Sequence, residues 1–226
     1  MIKTAILVDG GFYRKRAAYL WGQKSAIDRA NELVSYCKLH LKEKHDINKH
    51  YLYRIFYYDC PPIDKQVYHP FLRKNIDFKQ TDTYRWSVDF LNELKTKRKL
   101  AIRLGKLADS TAHYNLKPEI TKKVFSQRLN YSDITEGDFV LNLKQKGVDM
   151  KIGIDIASLA YKKQVDQIVL IAGDSDFVPV AKLARREGLD FILDPLWADV
   201  PSDLFEHIDG LRSCKRKKRE NNLQVL

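Results

Sequence analysis

Two carboxylates, Asp174 and Asp176, follow directly on the run Gln167-Ile168-Val169-Leu170-Ile171-Ala172-Gly173. The apolar run reads as a buried strand, and a helix is expected to start straight after the acids. In open α/β sheets, ligands bind outside the carboxyl ends of the strands. Two acids held at such a place repel each other, and a cation shared between them removes the repulsion. Hard oxygen donors select Mg2+ or Mn2+ as that cation. The chemistry implied is metal-dependent work on phosphate.

Three more acids occupy comparable places. Asp9 ends the strand-like segment Thr4 to Val8, Asp59 ends Tyr51 to Tyr58, and Asp149 stands where a helix opens after Lys146-Gly147. The central strands of a doubly wound sheet end at one edge. Asp9, Asp149, Asp174 and Asp176 can therefore share a site although they are far apart in sequence. An all-aspartate set suits magnesium and does not suit zinc. The six histidines show no motif spacing, and no Ser/His/Asp or Cys/His arrangement competes. One carboxylate, Asp174 or Asp176, is positioned to orient or deprotonate an attacking water. Taken singly, Asp9 is also a turn former, Asp176 a helix cap and Asp149 an acid favoured by a helix dipole. Their joint occurrence favours a site. Asp155 is different. It lies about 9 Å along the helix axis from Asp149 at 1.5 Å per residue, on the other flank of the apolar face. A structural pairing near the sheet is expected for it.

The elements that must position these acids alternate along the chain. Strands are expected at Thr4 to Val8, Tyr51 to Tyr58, Leu100 to Leu104, Gln167 to Ala172 and Asp190 to Leu193, with Val140 to Leu143 a further short one. Helices are expected at Ser25 to His45, Tyr84 to Arg98, Asp149 to Lys163, Phe177 to Arg186 and Ser202 to Leu211. Ser25 with Asp28 resembles a capping box, and Ile27, Ala30, Val34, Cys37 and Leu41 form the apolar stripe. Asp176 is expected to cap the helix at Phe177, with Pro179 in its first turn and Gly188 at its end. Alternating strands and helices with buried-type strands argue for a parallel sheet covered on both faces. Residues 1–213 read as one domain with an excursion at about 106–132, and 214–226 as a basic polar tail opened by Lys215 to Arg219.

The formal charge is +11, from 40 Lys and Arg against 29 Asp and Glu. Such a surplus favours polyanionic partners, nucleic acid first among them. Cys37, Cys60 and Cys214 have neither finger nor disulfide-framework spacing, which suits a reducing, cytoplasmic setting. No signal peptide and no membrane-length apolar run is expected.

Three blocks then carry a resemblance: Val8-Asp9-Gly10; Lys146-Gly147-Val148-Asp149 with Asp155; and Gly173-Asp174-Ser175-Asp176-Phe177 with Pro179. In this order they resemble the NYN domain family of the PIN-like nuclease superfamily. The match is close from Lys146 to about Leu193. From about Arg14 to Leu143 it holds in layout only. The resemblance implies a Rossmann-like three-layer α/β/α fold with a mostly parallel central sheet and a metal-dependent ribonuclease site. Carried over by position, Asp9, Asp149, Asp174 and Asp176 form the acidic set that is both catalytic and metal-binding. Phe12 stands where many members carry an Asn that helps order the acids.

Lys146, Arg14, Ser175 and Asp59 are the candidates for holding substrate. Tyr84, Trp86, Tyr114 and Tyr131 are candidates for stacking on bases. The leading expectation is an Mg2+- or Mn2+-dependent ribonuclease with RNA as its partner, homo-oligomers left open and no membrane association. The alternative is a non-catalytic module that holds RNA or a protein on a nuclease-like fold. A third reading is another phosphate enzyme, such as a phosphatase or a DNA nuclease.

Overall fold

A computed structural model describes residues 1–42, 50–108 and 111–214. In chain order the elements are β1 (Ile2–Asp9), α1 (Gly10–Trp21), α2 (Ala26–Leu39), β2 (His50–Asp59), β3 (Gln66–His69), β4 (Lys74–Asp77), α3 (Asp82–Lys95), β5 (Leu100–Leu104), β6 (Lys106–Leu107), β7 (His113–Leu116), α4 (Pro118–Phe125), β8 (Phe139–Asn142), β9 (Gln145–Lys146), α5 (Val148–Tyr161), β10 (Gln167–Ile171), α6 (Val178–Arg186), β11 (Asp190–Asp194), α7 (Ser202–Phe205) and β12 (Gly210–Leu211). They fall into two compact units. The first comprises Met1–Asp59, Asp89–Gly105 and the chain from Gly147 onward, and the second Cys60–Val88 and Lys106–Lys146.

The first unit is built on a six-stranded sheet in the order β12-β11-β10-β1-β2-β5, in which every pairing is parallel. Its central strands are buried on both faces. Ala5 to Val8 of β1 and all of β10 are solvent-excluded, which is why both read as unbroken apolar runs. The chain steps outward from β1 to β2 and β5, returns through α5 to β10, and steps outward again to β11 and β12. The reversal lies between β1 and β10, and the crevice at the carboxyl ends of those two strands is the expected ligand place. Helices cover both faces of this three-layer α/β fold. On one, Tyr57 of β2 packs on Phe90 of α3 with ring centroids 5.6 Å apart and against Gly10 of α1. On the other, the next residue, Tyr58, donates its hydroxyl hydrogen to Asp155 of α5 at 2.8 Å.

Several boundaries differ from the sequence reading, each for a local reason. The Asp9-Gly10-Gly11 segment is no mere turn but the start of α1, whose two leading glycines disguise it. A β-carbon at Gly10 would lie 2.4 Å from the Tyr57 ring and 2.6 Å from the Tyr58 carbonyl oxygen, so only glycine fits. In α2 the Ser25 cap forms as expected, Oγ accepting from the Asp28 N–H at 3.1 Å. The buried face is rotated, however. Ala26, Arg29, Ala30, Leu33, Tyr36 and Cys37 lie inward, and Ile27 is 55% exposed. Arg29 is tolerated there because it donates to Glu32 and to the Gly22 carbonyl. The expected end of this helix at His45 lies outside the described residues, as does the Lys215 to Arg219 run. The helix expected over Ser202 to Leu211 is cut to Ser202–Phe205. Asp209 accepts from Arg185 Nε at 2.8 Å and from the Phe191 N–H at 2.9 Å, which turns the chain into β12.

The second unit is larger than the expected excursion at 106–132. It holds three two-stranded antiparallel ladders, β3-β4, β6-β9 and β7-β8, together with α4. Buried Val67 and Ile134 are joined by an aromatic cluster. Buried His69 lies 4.2 Å from Tyr114 and 5.4 Å from Phe139, and Phe71 lies 6.1 Å from Phe139 (ring centroids). Among the described residues no helix is long and apolar enough to cross a membrane.

Candidate metal centre

The crevice between β1 and β10 is closed on the β1 side by Asp9. This residue caps α1, its Oδ1 accepting the Phe12 N–H at 3.1 Å. On the β10 side the strand runs through Ala172 and Gly173 to Asp174. Asp174 caps the short 3-10 turn Ser175–Phe177 by accepting the Asp176 N–H at 3.2 Å. The cap expected of Asp176 on the helix that follows does not form; Asp174 caps the 3-10 turn ahead of it instead. Asp176 stays exposed, and α6 begins without a side-chain cap, with Pro179 in its first turn. Phe177 is buried and anchors the turn. Asp149 lies in the first turn of α5, entered through Gly147 at φ 79°, a left-handed geometry that suits glycine.

Asp149 lies within electrostatic reach of Asp9 on one side and of Asp174 and Asp176 on the other. Burial pushes the Asp9 carboxyl up to about 6 from its ordinary 3.8, and the charges of Asp149 and Asp59 add to the rise. Asp149 is also raised, by desolvation first and then by Asp174 and Asp176. Among the described residues no cationic side chain stands at ion-pair distance from Asp9, Asp149, Asp174 or Asp176. Nor do three or more His, Cys, Asp or Glu side chains close into a ready cage among those residues. Magnesium does not require such a cage, since it keeps several waters and binds through one or two carboxylates. A hard-oxygen set whose nearest charge relief is Arg14, within electrostatic reach of Asp9 but paired with Asp59, fits that ion.

The other acids at this sheet edge carry their own cations. Asp59 is buried and receives Arg14 Nη2 at 3.0 Å and the Tyr57 hydroxyl at 2.8 Å. Arg14 and Asp59, both expected to meet substrate, are instead partners of each other. Asp155 receives Tyr58 and Arg103 Nε, the latter at 3.2 Å, in the structural role its place on the helix suggests. Ser175 is half-buried in the 3-10 turn. Lys146 is exposed on β9 in the second compact unit, where it pairs with Lys106 across the ladder. The ring of Phe12 lies on Gly173, where a β-carbon would come within 2.6 Å of Cε2.

One carboxylate escaped the sequence reading. Asp194, fully buried at the end of β11, collects four donors: Tyr36 Oη, His40 Nε2 at 2.9 Å, the Leu196 N–H at 2.8 Å and Ser213 Oγ at 2.6 Å. The only signal was an acid ending a strand ahead of Pro195. Its donors come from distant segments and leave no local pattern.

A parallel six-stranded sheet with an acid-lined crevice at its reversal defines a PIN-like nuclease fold. The chain belongs to the NYN domain family, whose model matches residues 75–200. Asp149, Asp174 and Asp176 fall inside that stretch, and Asp9 and Asp59 precede it. A crystal structure of a protein of unknown function from Vibrio parahaemolyticus RIMD 2210633 is 15% identical. It aligns over 93% of this chain and 91% of its own, with a TM-score of 0.45. No curated protein gives a significant match.

Proposed function

We propose that this protein is an Mg2+- or Mn2+-dependent ribonuclease that hydrolyses phosphodiester bonds in RNA. The observation that carries this reading is the set Asp9, Asp149, Asp174 and Asp176, with no cation at ion-pair distance among the described residues, at the reversal of the sheet. These residues would hold the ion. A bound divalent cation supplies neutralisation of phosphoryl charge and acidifies an attacking water. Asp176, exposed and free of the capping duty that occupies Asp174, is the better placed of the two to take a proton from that water. Asp9 and Asp174, each fixed by a backbone N–H, hold their positions on rigid strand ends. The +11 charge supports a polymeric anion as substrate. The three free cysteines fit a reducing, cytoplasmic setting.

The test is cleavage of end-labelled single-stranded RNA and matched DNA with Mg2+, Mn2+ or EDTA, with Asp174→Asn purified in parallel. RNA cutting that needs the metal and falls about 100-fold or more in the variant is expected. Equal cutting by the variant would remove Asp174 from the mechanism. The rival reading is a non-catalytic RNA-binding module. Phe12, whose ring covers Gly173 beside the acids, favours it. Binding of RNA in EDTA with no cutting under any metal would establish that rival.

A further inference from the structure

The α4 turn of the second unit exposes side chains that neither its core nor the acidic crevice uses. Phe125 is 85% exposed and Tyr131 82% exposed. A ring stabilises a fold when it is buried, so neither ring is placed there for stability. Between 117 and 133 the chain carries Lys117, Lys122, Lys123 and Arg128 against Glu119 and Asp133, and Asp138 lies within electrostatic reach of Lys117 and Lys123, so that Lys122 and Arg128 are the cations least offset. The segment is ordered by its backbone. Ser126 N–H donates to the Lys122 carbonyl at 3.0 Å, and Arg128 N–H to the Lys123 carbonyl at 2.9 Å. The second of these folds the chain back on the end of α4 and sets Arg128 close to Lys123. Beyond it, the 3-10 turn Tyr131–Asp133 is pinned by buried Ile134, whose N–H donates to the Tyr131 carbonyl. Exposed rings interleaved with cations on a fixed backbone match a single-stranded nucleic acid, whose bases stack on aromatic faces while its phosphates meet lysine and arginine.

We propose that Phe125 and Tyr131, with Lys122, Lys123 and Arg128, form a holding surface for single-stranded RNA on the second unit. The choice of RNA rests on the ribonuclease reading above. Stacking on the two rings accounts for affinity without sequence preference, and the three cations for its salt dependence.

The test uses the full chain, a fluorescein-labelled oligouridylate and its DNA counterpart, with binding read by anisotropy in EDTA across a salt series. Phe125→Ala/Tyr131→Ala should weaken RNA binding about tenfold or more and leave the salt slope unchanged. Lys122→Ala/Lys123→Ala/Arg128→Ala should flatten that slope by about 2, at about 0.7 per phosphate contact on a single strand. All five side chains are exposed, so an unchanged unfolding temperature is the fold control. Both variants binding RNA as the parent does, or a dependence on these residues with DNA alone, overturns the proposal. Cleavage is assayed in Mn2+ on the same preparations. No cleavage with patch-dependent binding sinks the ribonuclease and keeps the surface. Cleavage by the parent, with all three proteins binding alike, does the reverse.

Discussion

Carboxylates at one sheet edge fall into two groups that differ in what faces them. Asp59, Asp155 and Asp194 are each satisfied from within: by Arg14 and Tyr57, by Arg103 and Tyr58, and by Tyr36, His40, Ser213 and a backbone N–H. Asp9, Asp149 and Asp174 with Asp176 have only backbone donors or none among the described residues; the charge of Asp149 adds to the raised proton affinity of Asp9, and the charges of Asp174 and Asp176 to that of Asp149. The first group is architecture that brings its own side-chain donors. The second has no cation at ion-pair distance among the described residues, which costs stability and is useful only where a cation arrives from outside. A place at or just beyond a strand end is shared by Asp59 and Asp194 of the first group and by Asp9 and Asp174 of the second, and both groups have a member on α5. The partner, more than the place, separates a structural acid from a candidate ligand.

The comparison predicts opposite responses to removing charge. The largest effect on stability is expected from Arg14→Ala, which takes from the buried Asp59 carboxylate the guanidinium that pairs with it. Removing one partner of a buried pair costs on the order of 3–5 kcal/mol. Urea unfolding measures this, and a loss under about 1 kcal/mol would mean that Asp59 is solvated in solution. Asp9→Asn should act the other way. Asn keeps the cap on α1 and removes a carboxylate that titrates near 6 in the fold against an ordinary 3.8. Below pH 4 the carboxyl is protonated in folded and unfolded chains alike and costs nothing. Between pH 4 and 6 the unfolded chain ionises first, so the wild-type protein loses stability as pH rises and carries the full cost above 6. In EDTA at neutral pH, Asp9→Asn should therefore be the more stable protein, by on the order of 2 kcal/mol. The gap should close toward pH 4. Mg2+ or Mn2+ should raise the wild-type unfolding temperature and barely move that of the variant. A variant less stable than wild type at neutral pH would show that Asp9 has a cation partner.

Much of the first group was hidden in the sequence because its bonds are long-range. Arg14 and Asp59 lie 45 residues apart, and Tyr36 and Asp194 lie 158 apart, so no local pattern joins them. The second group was legible. Strand β10 is buried on both faces, so its apolar run stands out, and Asp174 and Asp176 follow it without interruption. Strand β1 and the face of α5 were readable on the same grounds. Helix α1 was not, because the glycine that lets Tyr57 pack against its first turn is a poor helix former. The second unit was illegible as a unit. Its ladders are two to four residues long, too short to show a period, and its buried residues, such as Val67, His69 and Ile134, are too scattered along the chain to form a stripe.

The smallest effect should come from Arg103→Ala, and it is the sharpest check on the division. Arg103 pairs with Asp155 as Arg14 pairs with Asp59, yet its side chain is 44% exposed and that of Asp155 22%. Water reaches both, so the Coulomb gain is screened. Asp155 also keeps the Tyr58 hydroxyl, and no charge is stranded without a donor. The guanidinium also lies 5.6 Å from the centre of the Phe56 ring, a contact that is lost with it. A loss of about 1 kcal/mol or less is expected, reduced further in high salt. A loss as large as that of Arg14→Ala would mean that Asp155 depends on its arginine as fully as Asp59 does, so that exposure does not set the strength of these pairs. No loss, with metal-dependent cleavage also unchanged, would leave Tyr58 as the partner that fixes Asp155.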